Sequence, residues 1–142
     1  MSVFRNLKSG LIAEVYGNSA MRPPLSLSCL DSDVDYAWGS GAIAPSCAEN
    51  ESEVASDFVS IRWTGFVLLD VVETVTFFVE TAPAADGIDG AKLWIEGILI
   101  VDTTISNEIQ SGTIIVSAAA SLYSVLLEFR ASTGTCTHCF VL

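Results

Sequence analysis

The residues best placed to do chemistry lie near the end of the chain, in "TCTHCF" at 135–140, where Cys136 and Cys139 bracket His138. A C-x-x-C with an internal histidine invites zinc or thiol redox chemistry. Zinc takes four ligands, usually cysteine and histidine, and this chain has one histidine and only two further cysteines, Cys29 and Cys47. On an extended strand, residues three apart point to opposite faces, so the two thiols do not converge without a turn. The redox version draws on a helix N-terminus to lower the thiol pKa, and the surrounding sequence shows no helix. The expectation is a disulfide instead, either local or linking Cys136 and Cys139 to Cys29 and Cys47. Cys29 and Cys47 flank a segment rich in Asp, Ser, Gly and Pro that a bridge would restrain. Closing such a loop is worth about 3 kcal/mol in the chain-entropy view.

Other reactive constellations are absent from the pattern. His138 has no Ser or Asp near it in a triad motif. None of the 17 acidic residues sits in a glycosidase signature, and no glycine-rich phosphate loop precedes a helix. The chain is therefore read as non-catalytic. A binding role has more to work with. In "VDYAWGSG", Tyr36 and Trp38 have faces suited to stacking on a sugar ring, with Asp31, Asp33 and Asp35 nearby for its hydroxyls. The alternative for Trp38 is that it covers one end of the fold.

The elements that must position these residues are strands. Of 142 residues, 51% are apolar and 16% charged, which fits two inward-facing sheet surfaces within one domain spanning 1–142. "LIAEVY" (11–16), "FVSIRW" (58–63), "TVTFFVET" (74–81), "AKLWI" (91–95), "ILIVD" (98–102), "GTIIVSA" (112–118), "SLYSVLLEF" (121–129) and "CFVL" (139–142) are short, β-branched or aromatic, and bounded by turn formers. The Ala-rich stretch before Leu122 tempts a helical reading, but "TIIV" runs straight into it. Residues 17–57 hold three of the four prolines and read as a long, partly irregular connection. Eight or so such strands make a sandwich or barrel.

A net charge of −11, from six Lys and Arg against 17 acids, argues against nucleic acid and anionic membrane surfaces as partners. No apolar run is long enough to span a bilayer, so no membrane insertion is expected. The first residues, "MSVFRNLKSG", lack a secretory pattern; a signal has been removed, the chain is a piece of a longer protein, or it is a cytosolic protein. The cysteines, with a glycosylation triplet at Asn50, lean towards an extracellular or cell-surface setting.

The order "GLIAEVY", "VDYAWGSGAIAP", "FVSIRWTGFV", "VTFFVET", "DGAKLWIEGILIVD", "SGTIIVSA", "LYSVLLEF" resembles the PA-fourteen domain family, named after the anthrax protective antigen and found also in flocculins and glycosidases. Its most specific parts are "RWTG" (Arg62 to Gly65) and "DGAKLWIEG" (Asp89 to Gly97). The resemblance implies an all-β, Greek-key-like antiparallel β-sandwich closing towards a barrel. Trp63 and Trp94, inside strands, are then core residues. Gly65, Gly90 and Gly97 are read as turn positions, with Glu96-Gly97 a two-residue hairpin.

In lectin-like relatives, two adjacent aspartates at the start of the second motif hold a calcium ion that binds sugar hydroxyls. Here the second is Asp89 but Ile88 replaces the first, and Asp86 is the residue that compensates if calcium binds. The resemblance thus implies a glycan-recognition or adhesion module using Asp86, Asp89, Tyr36 and Trp38, with calcium as the cofactor. The competing reading is a structural subunit of an extracellular filament, matrix or surface complex, bound to neighbouring protein subunits.

Overall fold

The computed structural model describes residues 10–32, 35–36, 47, 59–69, 72–79, 90–103, 110–118, 121–131 and 140–141; at 35, 36, 110, 131, 140 and 141 it describes the backbone alone. Ten strands follow in order: β1 (Leu11–Tyr16), β2 (Leu25–Asp31), β3 (Asp35–Tyr36), β4 (Val59–Leu69), β5 (Thr74–Val79), β6 (Gly90–Ile95), β7 (Ile98–Asp102), β8 (Gln110–Ile115), β9 (Ser121–Ala131) and β10 (Phe140–Val141). Every pairing is antiparallel. The fold is an all-β sandwich, and the described residues include no helix. In particular, none of them forms a helix long and apolar enough to cross a membrane.

The main sheet has six strands in the order β2-β1-β4-β9-β6-β7. Alternation sorts its residues between two faces. Leu11, Ala13 and Val15 of β1, with Val59, Ile61, Trp63 and Val67 of β4, point inward and are almost wholly buried. Leu93 and Ile95 of β6 and Val125, Leu127 and Phe129 of β9 extend the same layer. Val75, Phe77 and Val79 of the β5-β8 pair complete this core from the opposite side. β8 also approaches β7: a Cβ at Gly112 would collide with the Ile100 carbonyl oxygen. The sandwich therefore draws together along that side, although the ladders of the described residues do not join into a hydrogen-bonded barrel.

Three expectations change. The connection from 17 to 57 contains an edge strand, β2, paired along β1. Its "LSLSCLD" alternates, but small serines kept the run from standing out. Gly65 is not at a turn. It lies inside β4, facing β1, where a Cβ would sit 2.7 Å from Leu11 Cδ2; close packing, not chain reversal, excludes a side chain there. Trp94 is not a core residue. Ala91, Leu93 and Ile95 take the inward face of β6, so Trp94 is placed with Lys92 on the outer face, half-buried. Trp63, by contrast, is fully buried.

The β6-β7 hairpin has the expected geometry. Glu96 and Gly97 both have positive φ, 51° and 77°, the requirement of the two-residue turn that matches strand twist. At its base, the Ala91 amide donates to Thr103 Oγ1 (2.8 Å) and the Thr103 amide donates to the Ala91 carbonyl (2.9 Å).

Candidate functional site

The outer face of the six-stranded sheet carries the most organised set of polar and apolar side chains among the described residues. Register fixes it: residues paired across antiparallel strands share a face. One row runs Ser28, Glu14, Arg62, Glu128, Lys92, Asp102, from β2 to β7. From Glu14 onward the charges alternate in sign. Arg62 Nη2 lies 3.7 Å from Glu128 Oε1, Arg130 Nη2 lies 3.8 Å from Glu128 Oε2, and Lys92 Nζ lies 3.9 Å from Asp102 Oδ2. Such partly exposed pairs contribute little stability each; their regular order is what distinguishes the face.

The next row along the strands is Leu30, Ile12, Thr64, Leu126, Trp94, Leu99. It is apolar except for Thr64, and Ile12, Leu30 and Leu99 are 45–55% exposed. Beyond it lie Phe66, paired with Ser124, and Leu68, paired with Leu122. On the other side of the charged row, the loop after β1 folds over the sheet. Ser60 Oγ donates to the Asn18 carbonyl (2.6 Å), Arg62 Nη2 donates to Met21 Sδ (3.5 Å), and the Arg62 guanidinium sits 5.9 Å above the Tyr16 ring. Tyr16 donates to Glu14 Oε2 (3.1 Å). Burial, then this hydrogen bond and the Glu14 charge, raise the Tyr16 pKa above its ordinary value.

The residues singled out from sequence fall elsewhere. Asp86, Asp89 and Trp38 lie outside the described residues, as do Cys136, His138, Cys139 and Asn50. Tyr36 is in β3, its backbone paired with Phe140 of β10. Asp31 is not available to a sugar: it is buried, and its Oδ2 accepts a hydrogen bond from Trp63 Nε1 at 2.8 Å. Cys29 and Cys47 form a disulfide, tying β2 to the segment beyond β3. Among the described residues no three His, Cys, Asp or Glu side chains are grouped to hold a metal ion. The outer face escaped the sequence reading because its signal is cross-strand register, which links residues up to about a hundred positions apart.

No protein-family model matches the chain. It is 32% identical over 94 residues to the anti-sigma-I factor RsgI3 of Acetivibrio thermocellus, a match covering 66% of this chain and 12% of that protein. Among solved structures, an anti-sigma factor domain-containing protein from Clostridium clariflavum superposes at TM-score 0.71 with 26% identity, over 93% of this chain and 40% of that one. Another protein of the same description gives 0.72 and 26%, over 93% and 41%. The PA14 domain of the antifreeze protein MpAFP gives 0.64 at 15% identity, over 92% of this chain and 78% of that one. The PA-fourteen likeness thus holds at the level of the fold. The chain spans about an eighth of the curated relative and two fifths of the anti-sigma structures.

These relatives overturn the glycan-recognition and adhesion reading, with its glycan partner, and the filament or matrix alternative. The relatives that share 26–32% identity with this chain carry the names anti-sigma-I factor and anti-sigma factor domain-containing protein, not those of lectins or structural subunits. None of these three is named as an enzyme.

Proposed function

We propose that this chain is a PA-fourteen-type, non-catalytic module of an anti-sigma-factor-type regulator, and that it supplies the regulator's input instead of its contact with the sigma factor. The observation that carries the reading is the 32% identity to anti-sigma-I factor RsgI3; the 26% identity across 93% of the chain to anti-sigma factor domain-containing structures supports it. The division of labour follows from the Cys29–Cys47 disulfide. Disulfides persist on the oxidising side of a bacterial membrane and are rare in the cytosol, where a sigma factor meets RNA polymerase. A domain that depends on this bridge belongs outside, in an extracellular or surface setting, and acts on the sigma factor through the rest of the regulator.

The test is a transplant. This chain replaces the matched segment of RsgI3, and a sigma-I-dependent reporter is read across growth conditions in the parent, a deletion of the segment, and the chimera. The proposal expects the chimera to restore condition-dependent control. A chimera whose output is as insensitive to conditions as the deletion contradicts it.

A further inference from the structure

Over its four central strands, the charged row of the main sheet's outer face is antisymmetric in charge about the midline between β4 and β9, while Asp102 at one edge answers the uncharged Ser28 at the other. Arg62 on one side of that line answers Glu128 on the other, and Glu14 answers Lys92. In the neighbouring row, Ile12 answers Trp94 and Leu30 answers Leu99. We infer that this face docks on the same face of a second copy of the chain, about a two-fold axis parallel to the strands and running between β4 and β9.

That axis brings each row onto its own counterpart. Arg62 then meets Glu128 of the second copy, Glu14 meets its Lys92, and Ile12 meets its Trp94. Other positions of the axis fail. Shifting it onto β9 sets Arg62 against Lys92 and Glu14 against Asp102; shifting it onto β4 sets Arg62 against Arg62 and Glu14 against Glu128. Face-packed sheets keep their strands within about 30° of one another, so register survives near the axis.

The distribution of charge over the molecule favours the same partner. The chain carries −11 with six cations, and three of those six, Arg62, Lys92 and Arg130, lie on this face beside Glu14, Glu128 and Asp102. Among the described residues these three cations stand against Glu14, Glu128 and Asp102, with Glu96 at the hairpin end beside Ser124, so the patch is far less acidic than the molecule as a whole. Two like copies repel less across such a patch than across an acidic one, and it offers little net charge to a strongly basic or acidic partner. Phe66 and Leu122, 57% and 64% exposed, lie on the same face beyond the apolar row and add surface that water exclusion would favour burying.

Two rows run across all six strands, roughly 24 Å, and the Phe66 and Leu68 rows continue on β4 and β9 alone. The pair therefore buries on the order of 1,000 Å² in total or somewhat less, at the lower limit for a specific interface. The dimer is accordingly weak and reversible. It is a closed pair through a sheet face, and it does not propagate through a strand edge. It stands independently of the regulatory reading.

Sedimentation velocity on the 142-residue chain across the micromolar range tests it, with circular dichroism confirming the fold of each variant. The expected result is a reversible monomer–dimer equilibrium, with Trp94 emission shifting to the blue as concentration rises. Glu14→Lys and Lys92→Glu each place two like-charge contacts in the homodimer and weaken it about tenfold or more. Mixed in equal amounts, these two variants restore both opposite-charge contacts and dimerise together. Ile12→Ser, at an exposed position, weakens the dimer without altering the fold. A wild-type monomer throughout the range, unchanged dimerisation in either charge variant, or a mixture that stays monomeric overturns the proposal.

Discussion

Asp31 and Trp63 show how a single contact can redirect a functional reading. In sequence, Asp31 stands with Asp33 and Asp35 near Tyr36 and Trp38 and looks like part of an acidic, aromatic binding loop. In the fold it is the last residue of β2, opposite Leu11, and its carboxylate satisfies the indole N–H of a fully buried tryptophan. Asp31→Ala leaves a buried donor without this acceptor, and urea denaturation is expected to show a loss of about 1–3 kcal/mol; Asp31→Asn, which keeps an acceptor, costs less. Tyr16 carries a pH signature. Its phenol ionises near 10 in the unfolded chain and higher in the fold, so the folded state holds the proton more tightly. The stabilisation from that difference is complete below pH about 10 and is lost as pH rises through the folded value. Urea midpoints measured from neutral into alkaline pH should fall more steeply for the wild type than for Tyr16→Phe.

At the scale of elements, the strands with strong β-branched patterns were legible, above all the β6-β7 hairpin, whose turn and both strands follow from "AKLWIEGILIVD". The hairpin depends on positive φ at Gly97; Gly97→Ala should cost roughly 1–2 kcal/mol, read as a lowered urea midpoint. What the pattern hid has physical causes. β2 is an edge strand with small polar residues on alternate positions, so it needs no strong apolar signature. Gly65 marks a close approach between β4 and β1, which local sequence does not separate from a turn. Trp94 was misplaced because a tryptophan's size invites burial, whereas period-two alternation against Ala91, Leu93 and Ile95 assigns its face. The Cys29–Cys47 disulfide, one of the pairings that the sequence left open, closes 18 residues. Reducing it should lower stability by about 3 kcal/mol, and comparing thermal melts with and without reductant checks this.

For the whole molecule, fold and function were legible to different degrees. The all-β sandwich followed from strand periodicity, and the PA-fourteen motifs led to a fold that a solved PA14 domain shares at TM-score 0.64. The step from that fold to a lectin did not hold, because one sandwich serves many purposes and function resides in particular surfaces. The residues that carried the lectin expectation, Asp86, Asp89 and Trp38, lie outside the described residues. The most ordered surface that is described, the outer face with its alternating charges, is assembled by register across strands distant in sequence. The 32% identity to anti-sigma-I factor RsgI3 is what carries the proposed regulatory role. The most direct measurement of that claim is the sigma-I-dependent reporter in cells carrying the RsgI3 transplant, with a Cys29→Ser, Cys47→Ser form beside the native chain. The account predicts condition-dependent control with the native chain and its impairment when the bridge cannot form. Reporter output that is insensitive to growth conditions with the native chain, as when the segment is deleted, would contradict it.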